Sequence, residues 1–60
     1  MPVITVDMFE GRTIEQKRAL AEAFTTSFCE IAKAAPEAVE IIFNEIPREN
    51  WAHAGKLASD

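Results

Sequence analysis

The sequence predicts a small α/β protein: a βαβ unit with parallel strands, followed by a short hairpin-like arm. Three observations carry that expectation. Residues 3–9, Val-Ile-Thr-Val-Asp-Met-Phe, alternate and are dominated by β-branched side chains, as a strand prefers. Leu20, Phe24, Phe28 and Ile31 then recur at helical spacing, with Ala23 and Ser27 beside them. Residues 39–46, Val-Glu-Ile-Ile-Phe-Asn-Glu-Ile, return to strand composition. A strand–helix–strand succession in one sheet closes through a right-handed crossover, which makes the strands parallel.

Each element has its own local signature. In the first strand, Ile4, Val6 and Met8 form a wholly apolar face for the helix, while Val3, Thr5, Asp7 and Phe9 form a mixed face suited to a subunit contact or a cavity. Glu10-Gly11-Arg12 breaks the strand, and Gly11 supplies a turn where positive φ costs nothing. Thr13-Ile14-Glu15-Gln16 reads as a capping box that starts a helix at about Ile14, with Glu15 suiting the helix dipole. Lys17, Arg18, Glu22 and Glu30 mostly fall off the apolar stripe. Pro36 disfavours helix in the residue before it, so the helix ends near Lys33–Ala35. Residues 36–38 form a short connector. In the second strand, Val39, Ile41 and Phe43 share one face and Ile42 and Ile46 the other, so burial on both sides is expected. Two strands are too few to stand alone in water, and the open edge is most simply paired with another copy. Pro47 to Trp51 turns the chain away, residues 52–57 form the arm, and Ala58-Ser59-Asp60 frays.

Sixty residues make one domain, residues 1–60, without repeats or low-complexity segments. A chain of this size buries only about 60% of its unfolded surface, and its core rarely supplies more than about 3–5 kcal/mol. Disulfides, metals or association make up the difference. Cys29 is the single cysteine, so no internal disulfide forms. With His53 it falls short of a structural zinc set, and no metal or cofactor is expected. The 48% apolar content leaves association as the remaining route. A net charge of −4 argues against a nucleic-acid partner. No apolar run approaches the roughly 20 residues of a membrane span, and no basic leader with a cleavage site precedes the strand. The expected setting is the cytoplasm, and the expected partners are a small-molecule substrate and further copies of the chain.

The chemistry centres on Pro2. Aminopeptidases remove an initiator methionine that precedes a small residue, proline included. Pro2 would then carry a free secondary amine. Free α-amino groups titrate at about 7.7–8.0, near the pH at which a general base works. The structural alternative is a proline at the first position of a strand, where its missing N–H is not needed. Arg12 offers a fork of donors that binds a carboxylate bidentately, or it is a solvated turn residue. Trp51 offers a low-dielectric wall that favours the neutral amine, or it packs an interface. Cys29 and His53 read as structural. These groups need not meet within one 60-residue subunit, but they can meet across a subunit boundary.

Met1-Pro2 opening a strand, Glu10-Gly11-Arg12-Thr13 with Glu15-Gln16-Lys17, and Ile46-Pro47-Arg48-Glu49-Asn50-Trp51 with Gly55-Lys56-Leu57 together resemble the 4-oxalocrotonate tautomerase family of the tautomerase superfamily. The resemblance spans essentially the whole chain. It implies a βαβ subunit, a dimer with a four-stranded sheet, and commonly a hexamer built as a trimer of dimers. It implies processed Pro2 as the catalytic base and Arg12 as the arginine that binds a substrate carboxylate from a neighbouring subunit. It places Trp51 at an aromatic pocket position and Phe9 at an apolar one. Glu40 departs from the pattern: the family's well-studied tautomerase has a second, carboxylate-binding arginine there, and Ala38 replaces a small polar residue. The reversed charge favours substrates with one carboxylate over a dicarboxylate such as 2-hydroxymuconate. The resulting expectation is an isomerase acting on an enol or α-keto acid, with Pro2 and Arg12 catalytic and Arg12, Trp51, Phe9 and Glu40 around the substrate. The alternatives are a hydratase or dehalogenase-like relative, with Glu40 activating water, and a non-catalytic oligomeric binding protein of the same fold.

Overall fold

The computed structural model describes residues 2–60; Met1, and with it the expected processing step, lies outside the described residues. Strand β1 spans Val3–Phe9, helix α1 Ile14–Ala32 and strand β2 Glu40–Ile46. A short antiparallel hairpin of β3, Ala52–His53, and β4, Lys56–Leu57, forms the arm. The central strands are parallel and in continuous register, from Val3 opposite Glu40 to Phe9 opposite Ile46. A backbone bond extends the ladder at each end: Glu40 N–H donates to the Pro2 carbonyl at 3.0 Å, and Glu10 N–H to the Ile46 carbonyl at 3.3 Å.

Alternation sorts the two faces as expected. Ile4, Val6 and Met8 are half-buried, as are Ile41 and Phe43. Val3 and Ile42 stand 52% and 49% exposed on the opposite face, so the second face of β2 lacks the cover its composition calls for. Asn44 Nδ2 donates to Asp7 Oδ1 at 2.9 Å across a register pair, a cross-strand contact typical of sheets.

The capping box forms in full. Gln16 N–H donates to Thr13 Oγ1 at 3.1 Å, and Thr13 N–H to Gln16 Oε1 at 3.0 Å. The half-buried seam of α1 is Lys17, Leu20, Ala21, Phe24, Thr25, Phe28 and Cys29. Ile31, expected on that seam, is instead 83% exposed. At 1.5 Å per residue the 19-residue helix is about 28 Å long and outruns the seven-residue strands, so its last turn overhangs the sheet. The helix stops at Ala32, one residue before the expected region, because Lys33 takes a left-handed cap conformation with φ 59°.

Three further corrections are local. Val39 is not in β2: it closes a 3₁₀ turn over Pro36–Ala38, donating its N–H to the Pro36 carbonyl at 3.2 Å. A second 3₁₀ turn covers Arg48–Asn50. Residues 58–60 are tied down rather than frayed. Ala58 N–H donates to the Trp51 carbonyl at 2.7 Å, Asp60 N–H to the Leu57 carbonyl at 3.1 Å, and Asp60 Oδ2 accepts from Leu57 N–H at 3.3 Å.

No described residue is fully buried in this protomer. Its surface is 4659 Å², against about 3,900 Å² for a compact monomer of this mass. The radius of gyration is 14.4 Å, against about 10 Å for a compact domain of this length. The fold is a half-sandwich, one helix on two strands, with its arm projecting. Among the described residues, no helix is long and apolar enough to cross a membrane.

Candidate active site

The parallel register decides where the predicted site residues fall. Pro2 is half-buried at the amino end of β1, and its carbonyl holds the first amide of β2, that of Glu40. Glu40 pairs in register with Val3 and is exposed. The structure thus brings Pro2 and Glu40 to one end of the sheet.

Phe9, Arg12 and Trp51 occupy the other end. Phe9 closes β1, and its ring centroid lies 4.6 Å from that of Trp51 with the planes tilted by 47°. Trp51 is delivered there by the 3₁₀ turn: Pro47 sets the entry, and Trp51 N–H donates to the Arg48 carbonyl at 3.2 Å. The Ala58 bond to the Trp51 carbonyl folds the arm back behind it. Arg12 is exposed between Gly11, whose φ of 122° suits only glycine, and the Thr13 cap. Its backbone is fixed on both sides while its guanidinium is left to solvent.

At about 3.3 Å per residue, Pro2 and Phe9 lie roughly 23 Å apart along β1. A small acid cannot span that distance. Within one protomer the structure joins Phe9 with Trp51 and Pro2 with Glu40, but it does not bring Pro2 to Arg12 or Trp51.

Sequence reasoning gave no role to Arg48, whose guanidinium carbon sits 4.3 Å from the Phe9 ring centroid. Its signal was its position two residues past Ile46, the register partner of Phe9. The reading of Lys17 as lying mostly off the helix seam also needs correction: its Nζ reaches Glu45 Oε2 at 2.9 Å. A helical step of three from Leu20 was the clue. An open groove of about 340 Å³ runs along Ile4, Phe24, Ser27, Phe28, Ile31 and Ala32. It carries no titratable side chain, so it is a packing surface rather than a place for proton transfer.

Comparison with known proteins matches this geometry to a family. The model of the Tautomerase enzyme family matches residues 2–60. A 2-hydroxymuconate tautomerase of Bacillus subtilis is 43% identical over 60 residues, covering 100% of this chain and 97% of the relative. The crystal structure of YwhB, a homologue of 4-oxalocrotonate tautomerase, superposes with a TM-score of 0.94 at 42% identity, covering 98% of this chain and 97% of that one. A heterohexamer 4-oxalocrotonate tautomerase from Chloroflexus aurantiacus superposes with a TM-score of 0.91 at 28% identity, covering 100% and 97%. Whole-length identity and a shared βαβ fold agree, and the chain belongs to the tautomerase family, as an isomerase of the 4-oxalocrotonate tautomerase type.

Proposed function

We propose that the enzyme moves a proton between carbon and oxygen of a 2-oxo acid or its enol, with the amine of processed Pro2 as general base. The observation that carries this reading is the separation of the site into two half-sites at opposite ends of the sheet. Pro2 and Glu40 of one copy meet Arg12, Phe9 and Trp51 of another. Arg12 binds the carboxylate, and the Phe9–Trp51 pair excludes water beside it. The neutral Pro2 nitrogen takes a proton from C3, and the C–H pair becomes the C2–C3 double bond. The carbonyl π pair moves to the 2-oxygen. The prolinium then returns its proton, either to carbon or, in the enol direction, to oxygen.

An assembly of several copies follows from the same picture. The protomer has no fully buried residue among those described, and Val3, Ile31 and Ile42 are exposed. Pairing of sheet edges gives a four-stranded dimer, and three dimers give a hexamer; the Chloroflexus relative is named a heterohexamer. Glu40, beside Pro2, lies toward the substrate's far end and disfavours a second carboxylate there. The preferred substrate therefore has one carboxylate and an uncharged tail. The lone free thiol of Cys29 is compatible with the cytoplasm.

The test is Pro2→Ala, with Met1 removal verified by intact mass in both proteins. Turnover of phenylenolpyruvate is expected to fall by about 10²-fold or more, the scale of general-base catalysis, with folding unchanged. Equal turnover removes Pro2 from the mechanism.

A further inference from the structure

We propose that Arg48 is a substrate-binding residue, gripping the 2-oxygen of the substrate while Arg12 holds the adjacent carboxylate. The proposal rests on the reading that Arg12, Phe9 and Trp51 form the head-group end of the site.

Placement comes first. Arg48 leaves the sheet two residues after Ile46, and Arg12 two residues after Glu10, whose amide bonds the Ile46 carbonyl at 3.3 Å. The two arginines therefore depart from one end of the sheet. The Arg48 backbone is locked in a turn, with Asn50 N–H donating to the Pro47 carbonyl at 2.9 Å and Trp51 N–H to the Arg48 carbonyl at 3.2 Å. Its guanidinium carbon rests 4.3 Å from the centroid of Phe9, the same ring that packs on Trp51.

The chemistry of that stack selects a ligand. A guanidinium lying on an aromatic face uses its face for the ring and keeps its N–H fork free in the plane. Among the described residues the ion pair formed is Lys17–Glu45, so neither Glu10 nor Glu49, the acids nearest in sequence to the two arginines, occupies the Arg48 fork. A free planar fork against an apolar wall fits an oxygen anion. The reaction creates one: when C3 loses its proton, charge gathers on the 2-oxygen, and a donor fixed there lowers the barrier. That donor is not Glu40, whose carboxylate stands at the Pro2 end of the sheet. Arg48 supplies it from the opposite half-site.

Two ligands separate this role from general charge attraction. Phenylglyoxylate is a 2-oxo acid without a hydrogen on C3, so it binds but cannot react. Phenylacetate has the same skeleton without the 2-oxygen. Calorimetric titration of the processed wild-type protein is expected to favour phenylglyoxylate by about tenfold, the scale of one charge-assisted hydrogen bond. Arg48→Gln should bring that ratio near one while the phenylacetate affinity stays within about twofold, and Arg48→Lys should retain part of the preference. Arg12→Gln should weaken both ligands alike. An Arg48→Gln protein that keeps the ratio, or loses both ligands equally with its assembly intact by sedimentation, overturns the proposal. Failure of the wild type to bind either ligand overturns the head-group reading and this proposal with it. A wild type that binds with the stated ratio but turns over no enol refutes the Pro2 mechanism alone.

Discussion

Glu40 stands one backbone hydrogen bond from Pro2, and its charge is the residue-scale feature on which the proposed substrate preference turns. Two unit charges 4 Å apart interact by about 4 kcal/mol at an effective dielectric of 20, an upper guide that solvent and side-chain rotation reduce. About 1.4 kcal/mol already makes a tenfold preference. Glu40→Arg is therefore expected to shift kcat/KM by about tenfold toward dicarboxylate muconates, relative to single-carboxylate enols. An unchanged preference in an intact oligomer places Glu40 outside the pocket. Loss of assembly in its place assigns Glu40 to a salt bridge between subunits. Among the described residues of one protomer the ion pair is Lys17–Glu45, and Glu40 has no ion-pair partner among them.

At the scale of elements, the sequence was legible wherever a local rule acts alone. The Thr13–Gln16 capping box, the alternation of β1 and the break at Gly11 are decided within four or five residues, and each stands where the pattern put it. Ile31 was misplaced because periodicity gives an azimuth on a helix but not whether a strand lies beneath that turn. Residues 58–60 were misread because their order comes from Trp51, seven residues back, through a bond that composition does not announce. Pro2, Arg12 and Trp51 were singled out in the sequence, which also allowed that they meet only across a subunit boundary; the parallel register adds which of the candidates share an end of the sheet. Arg48 stayed unread because its place two residues past Ile46 points to Phe9 only once the strand register is known. The cap offers a clean test at this scale. Thr13→Ala removes the hydroxyl that accepts from Gln16 and should lower stability by about 1 kcal/mol, read by urea unfolding at fixed protein concentration. A loss below about 0.3 kcal/mol would mean that the helix start is held by assembly instead of by its cap.

For the whole molecule, the absence of a fully buried residue among those described and the two-ended placement of the proposed site residues support one proposal: the working unit is more than one copy of this chain. The overhanging last turn of α1, with Ile31 83% exposed above an apolar groove, is then a contact surface. Ile31→Lys should weaken assembly and make the unfolding midpoint depend more steeply on protein concentration, as sedimentation and thermal scans would show. A variant that assembles as tightly as the wild type clears Ile31 from the interface. The division of the site has a sharper consequence. On the proposed mechanism, Pro2→Ala removes the base and Arg12→Gln the carboxylate grip, each in its own subunit. When equal amounts of the two variants are unfolded together and reassembled, random mixing in a symmetric oligomer leaves about a quarter of the sites with both groups intact. Activity toward phenylenolpyruvate should return to about a quarter of the wild-type value, well above either variant alone. Reassembled mixtures no more active than the separate variants would show that Pro2 and Arg12 do not serve one site from different subunits.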